Sequence, residues 1–224
     1  KTRYRAIAAR CNYLAIDRQD LQYAAKEACR TMSCPKKGDM AKLKRIGRYL
    51  KSRMRVVYTF EWQAAPSGLT CYTDANWAGC PTTRKSTSAG TVSYGRHLIK
   101  TWSKTQATVA LSSGEAELHG IVKATAESIG LQNLMRDFGV KVWNKTPIYA
   151  DASAALGMTQ RSGVGRVKHL DTQILWVQEK KTREMVEFRK VKGTENPADM
   201  MTKHVKKELI ERYLKELRLE GGKA

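Results

Sequence analysis

Four carboxylates stand where they could share a cation: Asp74, Glu117, Asp151 and Asp199. Asp74 lies near the end of a β-patterned run, Leu69–Asn76 (LTCYTDAN), in which Thr70, Tyr72 and Asp74 share one face. Asp151 ends a short apolar run, Pro147–Asp151, and ligands gather at the carboxyl ends of such strands in open sheets. Glu117 falls near the start of a long helical pattern, and Asp199 in the first turn after Asn196-Pro197. Any one of them could be structural, since a carboxylate at a strand end often caps a helix. Together they supply what a two-metal site needs. Hard oxygen ligands on separate rigid elements would converge on two Mg²⁺ ions ~3.5–4 Å apart, with Mn²⁺ able to substitute.

The long helix offers a second acid, Glu115, and helix geometry separates the two. Ser112-Ser113-Gly114-Glu115 fits a capping box, with the glutamate three residues after the serine. Two residues of helix turn the side chain by about 200°, so Glu117 faces elsewhere. Glu115 is read as the structural acid and Glu117 as the ligand.

The elements that must hold these acids follow from pattern and punctuation. Leu69–Asn76, Ser88–Tyr94 and Leu98–Trp102 read as successive strands, closely spaced as in an antiparallel meander. Ser112–Phe138 reads as one helix, with Leu118, Ile121, Val122, Ile129, Leu134 and Phe138 on its buried side and Gly139 as the stop. Pro147–Asp151 is a strand leading into a helix, Ala152–Thr159, and Met185–Val191 is a further strand. Asn196 caps a helix with Pro197 at its first position. The class is α/β, a mixed sheet flanked by helices.

Ahead of this lies a different grammar. Residues 17–33 read as a helix capped by Asp17, a second helix runs from Met40 to about Ser52, and Val56–Trp62 reads as a strand. Pro66-Ser67-Gly68 marks a boundary, giving a small helical module over 1–66 and a second domain over 67–220, with a frayed tail from Gly221.

Charge narrows the partners. The chain carries 41 Lys+Arg against 21 Asp+Glu, a formal net charge of +20, and residues 1–66 alone hold 16 cations and 5 acids. Met40–Arg55 has seven cations, Lys42, Lys44, Arg45, Arg48, Lys51, Arg53 and Arg55, and no acid. A field of that density favours polyanions, so nucleic acid is the expected partner. No apolar run approaches a membrane span, and the N-terminus lacks the shape of a signal peptide. Five cysteines without a C-x-x-C pair point to a reducing interior, and so to an intracellular protein, cytoplasmic or nuclear.

An ordered series of motifs carries a family resemblance. It comprises Tyr72-Thr73-Asp74-Ala75-Asn76-Trp77-Ala78-Gly79, Arg84-Lys85-Ser86-Thr87-Ser88-Ala89-Gly90, Trp102-Ser103-Lys104-Thr105-Gln106 and the stretch Val109–Glu117. Lys168-His169-Leu170-Asp171 and the stretch Glu195–Lys203 continue it. The series resembles the ribonuclease H domain of copia-type (Pseudoviridae) LTR retrotransposon polyproteins. Residues 4–15, Gln22-Tyr23-Ala24 and Arg48-Tyr49-Leu50-Lys51 resemble the thumb-side end of the same family's reverse transcriptase.

The resemblance implies the ribonuclease H fold with a five-stranded mixed sheet, and cleavage of RNA in RNA–DNA hybrids. It places the four metal-binding carboxylates on Asp74, Glu117, Asp151 and Asp199. It also implies a linked polymerase domain and, within the cell, a virus-like particle or the nucleus. Many ribonucleases H carry a histidine in the loop before the last acid; here Thr194 stands about there, and His169 or His204 is a candidate substitute. Arg84, Lys85, Lys104, Arg166 and Lys168 are the expected phosphate contacts. Asn76, Ser112, Ser113 and Ser153 could meet 2′-hydroxyls, while Trp77 and Trp102 read as core. Two rivals remain. A module that binds hybrids without cutting them would have little reason to keep four clustered acids, which repel without a metal. An integrase would order its glutamate differently.

Overall fold

The computed structural model describes residues 1–142, 145–165 and 168–221. In chain order the chain forms α1 (Thr2–Leu14), α2 (Gln19–Cys29), α3 (Met40–Ser52) and β1 (Val56–Tyr58). Then come β2 (Leu69–Asn76), β3 (Thr87–Tyr94), β4 (His97–Thr105), α4 (Ser113–Asp137), β5 (Thr146–Ala150) and α5 (Ser153–Gln160). α6 (Asp171–Thr182), β6 (Val186–Lys190), a 3₁₀ segment Pro197–Met201, α7 (Lys207–Glu216) and β7 (Leu219–Gly221) complete it. Five strands make one mixed sheet in the order β4-β3-β2-β5-β6. β2–β3 and β3–β4 are antiparallel, while β2–β5 and β5–β6 are parallel. This is the five-stranded mixed sheet that the family resemblance implies, with the antiparallel meander where the spacing predicts it.

Alternation along β2 explains its place at the centre. Leu69, Cys71 and Thr73 are buried on one face, which α4 covers, together with Leu118, Ile121 and Ala124 from the helix. The other face receives the 3₁₀ segment and α7, whose Met200, Met201, Tyr213 and Leu214 form a second core with Ala89 and Leu98. At β3 the sheet leaves no room for a side chain: a Cβ on Gly90 would sit 2.2 Å from the Trp102 ring and 2.7 Å from the Tyr72 carbonyl. Gly90→Ala is therefore expected to cost about 1–3 kcal/mol by overpacking. A denaturant midpoint unchanged from wild type would contradict the packing described.

The N-terminal helices have their own core, built by Tyr4, Ala8, Leu21, Ala25, Leu43 and Ile46, with Tyr4 donating its hydroxyl to the Ala28 carbonyl at 2.7 Å. They do not stand apart from the sheet. Gln22 Nε2 donates to Thr101 Oγ1 at 2.7 Å, Arg30 to Thr105 Oγ1 at 3.1 Å, and Lys26 to Thr87 Oγ1. β1 pairs antiparallel with β7, so the segment before residue 66 is joined to the end of the chain.

Several boundaries differ from the sequence reading. The N-cap of α2 is Arg18, not Asp17, and no side chain caps it; Arg18 instead pairs with Asp20 at 2.7 Å. The strand expected over Val56–Trp62 stops at Tyr58, opposite Leu219 where β7 begins; the Thr59 amide makes one more bond, to the Arg218 carbonyl at 3.3 Å, and the turn after α7 takes the partner chain away. Val122 and Ile129 pack partly against the core as expected, but Leu134 and Phe138 are exposed; toward its end α4 is fully buried only at polar Gln132. Gln132 is held there by Thr146 Oγ1 at 2.8 Å. α1 and α7 lie beyond the elements that the pattern marks, and residues 222–224 of the expected tail lie outside the described residues.

Candidate functional site

Asp74, Glu117 and Asp151 converge. Each offers an oxygen within 4.8 Å of the others, the first two buried and the third half-buried. β2 and β5 are parallel neighbours, with Cys71 beside Ile148 and Tyr72 beside Tyr149, so their carboxyl ends deliver Asp74 and Asp151 to the same edge. Asp151 is not a helix cap: the N-cap of α5 is Ala152, without a side-chain bond. Glu117 arrives from the first turns of α4, where its Oε1 accepts the Ala75 amide at 3.1 Å. Its Oε2 is buried without a hydrogen-bond partner.

Asp199 sits on the 3₁₀ segment, outside the trio, in an ion pair with Lys203. Its segment is fixed in two ways. Asn196 accepts the Ala198 amide at 3.2 Å and donates to the Thr73 carbonyl at 2.9 Å, tying the turn to β2. The Thr202 hydroxyl contacts an Asp74 carboxylate oxygen. From the other side, Gly193 leaves only 3.0 Å between an imagined Cβ and Asp151 Oδ2, so a larger residue there would press on the carboxylate.

Burial pushes the Asp74 and Glu117 carboxyls up from the usual carboxylate range, and neighbouring carboxylates push them further. Asp199 is raised too, chiefly by burial, against the pull of Lys203. Charged acids crowded together with few donors are costly. An orphaned Glu117 oxygen within a set of hard oxygen ligands fits a divalent cation, which would supply positive charge beyond that of Lys203.

Glu115 and Glu117 part as helix geometry requires. Ser112 Oγ accepts the Glu115 amide at 3.1 Å, the expected cap. The Glu115 side chain returns to the Leu111 amide at 2.9 Å, one residue earlier than a capping box prescribes. His169 Nε2 approaches it at 3.4 Å and His119 Nε2 at 3.7 Å. Glu115→Gln is thus expected to cost about 1 kcal/mol while leaving divalent-cation binding unchanged. A loss of cation binding with unaltered stability would reverse the roles of the two acids.

The remaining candidates are dispersed. Arg84, Lys104 and Lys168 are exposed, Lys85 donates to the Ala107 carbonyl, and Arg166 lies outside the described residues. Trp102 is buried as expected, but Trp77 is 47% exposed; its Nε1 donates to the Ala110 carbonyl at 3.0 Å, so it braces the loop before α4. Ser112 is occupied as a cap, Ser153 accepts from Lys190, Asn76 reaches the Thr202 carbonyl at 3.4 Å and Ser113 is exposed. Of the two histidines, His169 serves Glu115 and His204 packs edge-on to Tyr23 with ring centres 4.9 Å apart. Thr202, Lys203 and the Ala75 amide join the site only in the folded chain. The signal for the first two was their place three and four residues after Asp199, one helical turn away.

No family model matches the chain. A retrovirus-related Pol polyprotein from transposon TNT 1-94 of Nicotiana tabacum is 30% identical over 199 residues, covering 88% of this chain and 15% of that polyprotein. The Pol polyprotein from transposon RE1 of Arabidopsis thaliana is 33% identical over 150 residues, 67% of this chain and 10% of its own length. This chain therefore spans only a small part of the relatives it matches. Among solved structures, LC11-RNase H1 in complex with RNA/DNA hybrid is 16% identical with a TM-score of 0.44, covering 59% of this chain and 92% of that one.

Proposed function

We propose a function from one premise: the chain belongs to the retrovirus-related Pol polyprotein family of copia-type transposons, as its ribonuclease H domain. The reading is metal-dependent hydrolysis of the RNA strand of RNA–DNA hybrids during reverse transcription. One observation carries it. Three carboxylates on separate elements converge, with a buried oxygen of Glu117 left unpaired.

Asp74, Glu117, Asp151 and Asp199 would hold two Mg²⁺ ions. The chemistry such ions would supply is activation of a water and neutralisation of charge on the phosphate and the departing 3′-oxygen. The chain's own part is positioning. The Ala75 amide aims Glu117, the Thr202 hydroxyl orients Asp74, and Asn196 fixes the turn that carries Asp199 to β2. Because these groups are set before substrate arrives, little reorganisation is left for the reaction itself. Arg84, Lys85, Lys104, Arg166 and Lys168 are the proposed phosphate contacts, and residues 1–66 the thumb-side end of a reverse transcriptase whose polymerase domain would be linked to this one. Strand choice would rest on the 2′-hydroxyl, which DNA lacks.

The test is a panel of end-labelled duplexes in Mg²⁺. RNA paired with DNA should be cut internally, whereas the DNA strand and all-DNA duplex should survive. Cleavage of duplex DNA, or of RNA equally well without a DNA partner, would sink this assignment of substrate.

A further inference from the structure

Lys203 has two neighbourhoods. On one side its ammonium pairs with Asp199, and its charge also acts on Asp74 and Asp151. Among the described residues no other ion pair reaches any of the four acids. On the other side it lines a cavity of about 580 Å³ between α2, α3 and the turn after the 3₁₀ segment, along with Asp20, Tyr23, Glu27 and His204. Its side chain is 50% exposed, so the face away from Asp199 is open to that cavity and to solvent.

We propose that Lys203 is the resident counter-ion of the carboxylate cluster and competes with a divalent cation for Asp199. The inference rests on the reading of these acids as cation ligands and adds a regulator to it. Asp199 lies outside the close trio and its carboxylate is paired with the Lys203 ammonium, so a cation that took Asp199 as a ligand would have to displace that ammonium. A monovalent ammonium on a tether is an imperfect substitute, because it directs hydrogen bonds at Asp199 and leaves Glu117 Oε2 unpaired. When the cation enters, the lysine is driven toward the cavity, which keeps room for it between the N-terminal helices and the turn. Lys203 thereby holds the metal-free protein together and lowers its affinity for the cation on the Asp199 side.

The size of the effect can be bounded. A unit charge within a few ångströms shifts a carboxylate's affinity for its proton by about one to three pK units, and half exposure moves the expectation to the low end. Removing the charge should therefore tighten the weaker cation site by about tenfold.

The experiment is calorimetric titration of the metal-free full chain with Mn²⁺, in wild type, Lys203→Met, Lys203→Gln and Lys203→Arg, with melting temperatures recorded alongside. Both neutral variants should bind the weaker Mn²⁺ about tenfold more tightly and melt lower without metal, while the arginine variant stays near wild type. Two neutral variants are used so that misfolding of one does not decide the matter. A lower melting temperature with unchanged Mn²⁺ affinity would make Lys203 merely structural and overturn the proposal. Weaker Mn²⁺ binding would overturn it too. Binding by none of the four proteins would remove the cation-ligand reading and this inference with it, whereas equal binding by all removes only this inference.

Discussion

Asp74→Asn is expected to abolish cleavage of a hybrid while raising the melting temperature of the metal-free protein. The substitution keeps the shape of the side chain and the contact with Thr202, but removes a buried charge from a crowded cluster. Loss of a metal ligand forfeits several kcal/mol of transition-state stabilisation, so the rate should fall by at least about a hundredfold. Relief of repulsion should add about 1 kcal/mol, roughly 2–4 °C for a chain of this size. Opposite effects on activity and stability distinguish a functional carboxylate from a structural one. A variant that melts lower than wild type without metal would mean that Asp74 stabilises the fold.

The same carboxylates set the pH dependence. Asp74, Glu117 and Asp199 are all raised above their ordinary values in the folded chain. A raised folded value means that the folded state binds more protons than the unfolded one across the interval between the two values. Their contribution is therefore fully present below the ordinary carboxylate range near ~4. It is lost as pH climbs through the raised values. Metal-free protein should become less stable from weakly acid to weakly alkaline pH, and Mg²⁺ should restore more stability at the alkaline end.

Removal of residues 1–62 is expected to cost the fold, not only affinity. From sequence alone the basic stretch 40–55 reads as a separable grip on the duplex, whose loss would weaken binding, flatten the salt dependence and spare cleavage. The packing indicates a different outcome. α2 lies on β4 through Gln22, Lys26 and Arg30, and β1 with Val56 and Tyr58 closes the core formed by Tyr213, Leu214 and Leu219. Uncovering several large side chains at about 1.5–3 kcal/mol each rivals the whole stability of a domain, roughly 5–15 kcal/mol. The truncated chain should lose cooperative thermal unfolding. A sharp transition near the wild-type temperature would show instead that the helices are an attached body.

The legible parts of this molecule were those where one local rule decides. Alternation in Leu69–Asn76 marked a strand and placed Asp74 on the face away from Cys71, and the Ser112 cap located the start of α4 to the residue. Asn196-Pro197 announced the turn that carries Asp199, though it forms a short 3₁₀ segment and not an α-helix. The choice of Glu117 over Glu115 followed from the capping box at Ser112 and helical rotation, and the structure brings Glu117 to Asp74 and Asp151. What stayed hidden depends on contacts distant in sequence. β1 ends opposite Leu219, where its antiparallel partner β7 begins at the far end of the chain, and no pattern within 56–62 carries that information. Phe138 fits the apolar stripe of α4 yet lies in the open, since the stripe records periodicity and not how far the sheet extends beneath it. Thr202 and Lys203 look like surface residues until the turn folds back on Asp74 and Asp199.

The measurement that bears most directly on the central claim is cleavage of a labelled RNA–DNA hybrid by the purified full chain, in Mg²⁺ and in EDTA, with analysis of the new ends. Internal cuts in the RNA that appear with Mg²⁺, vanish with EDTA and leave 5′-phosphate and 3′-hydroxyl ends are the predicted result. Cleavage that persists undiminished in EDTA, or tight hybrid binding with no Mg²⁺-dependent cutting at any enzyme concentration, would contradict it.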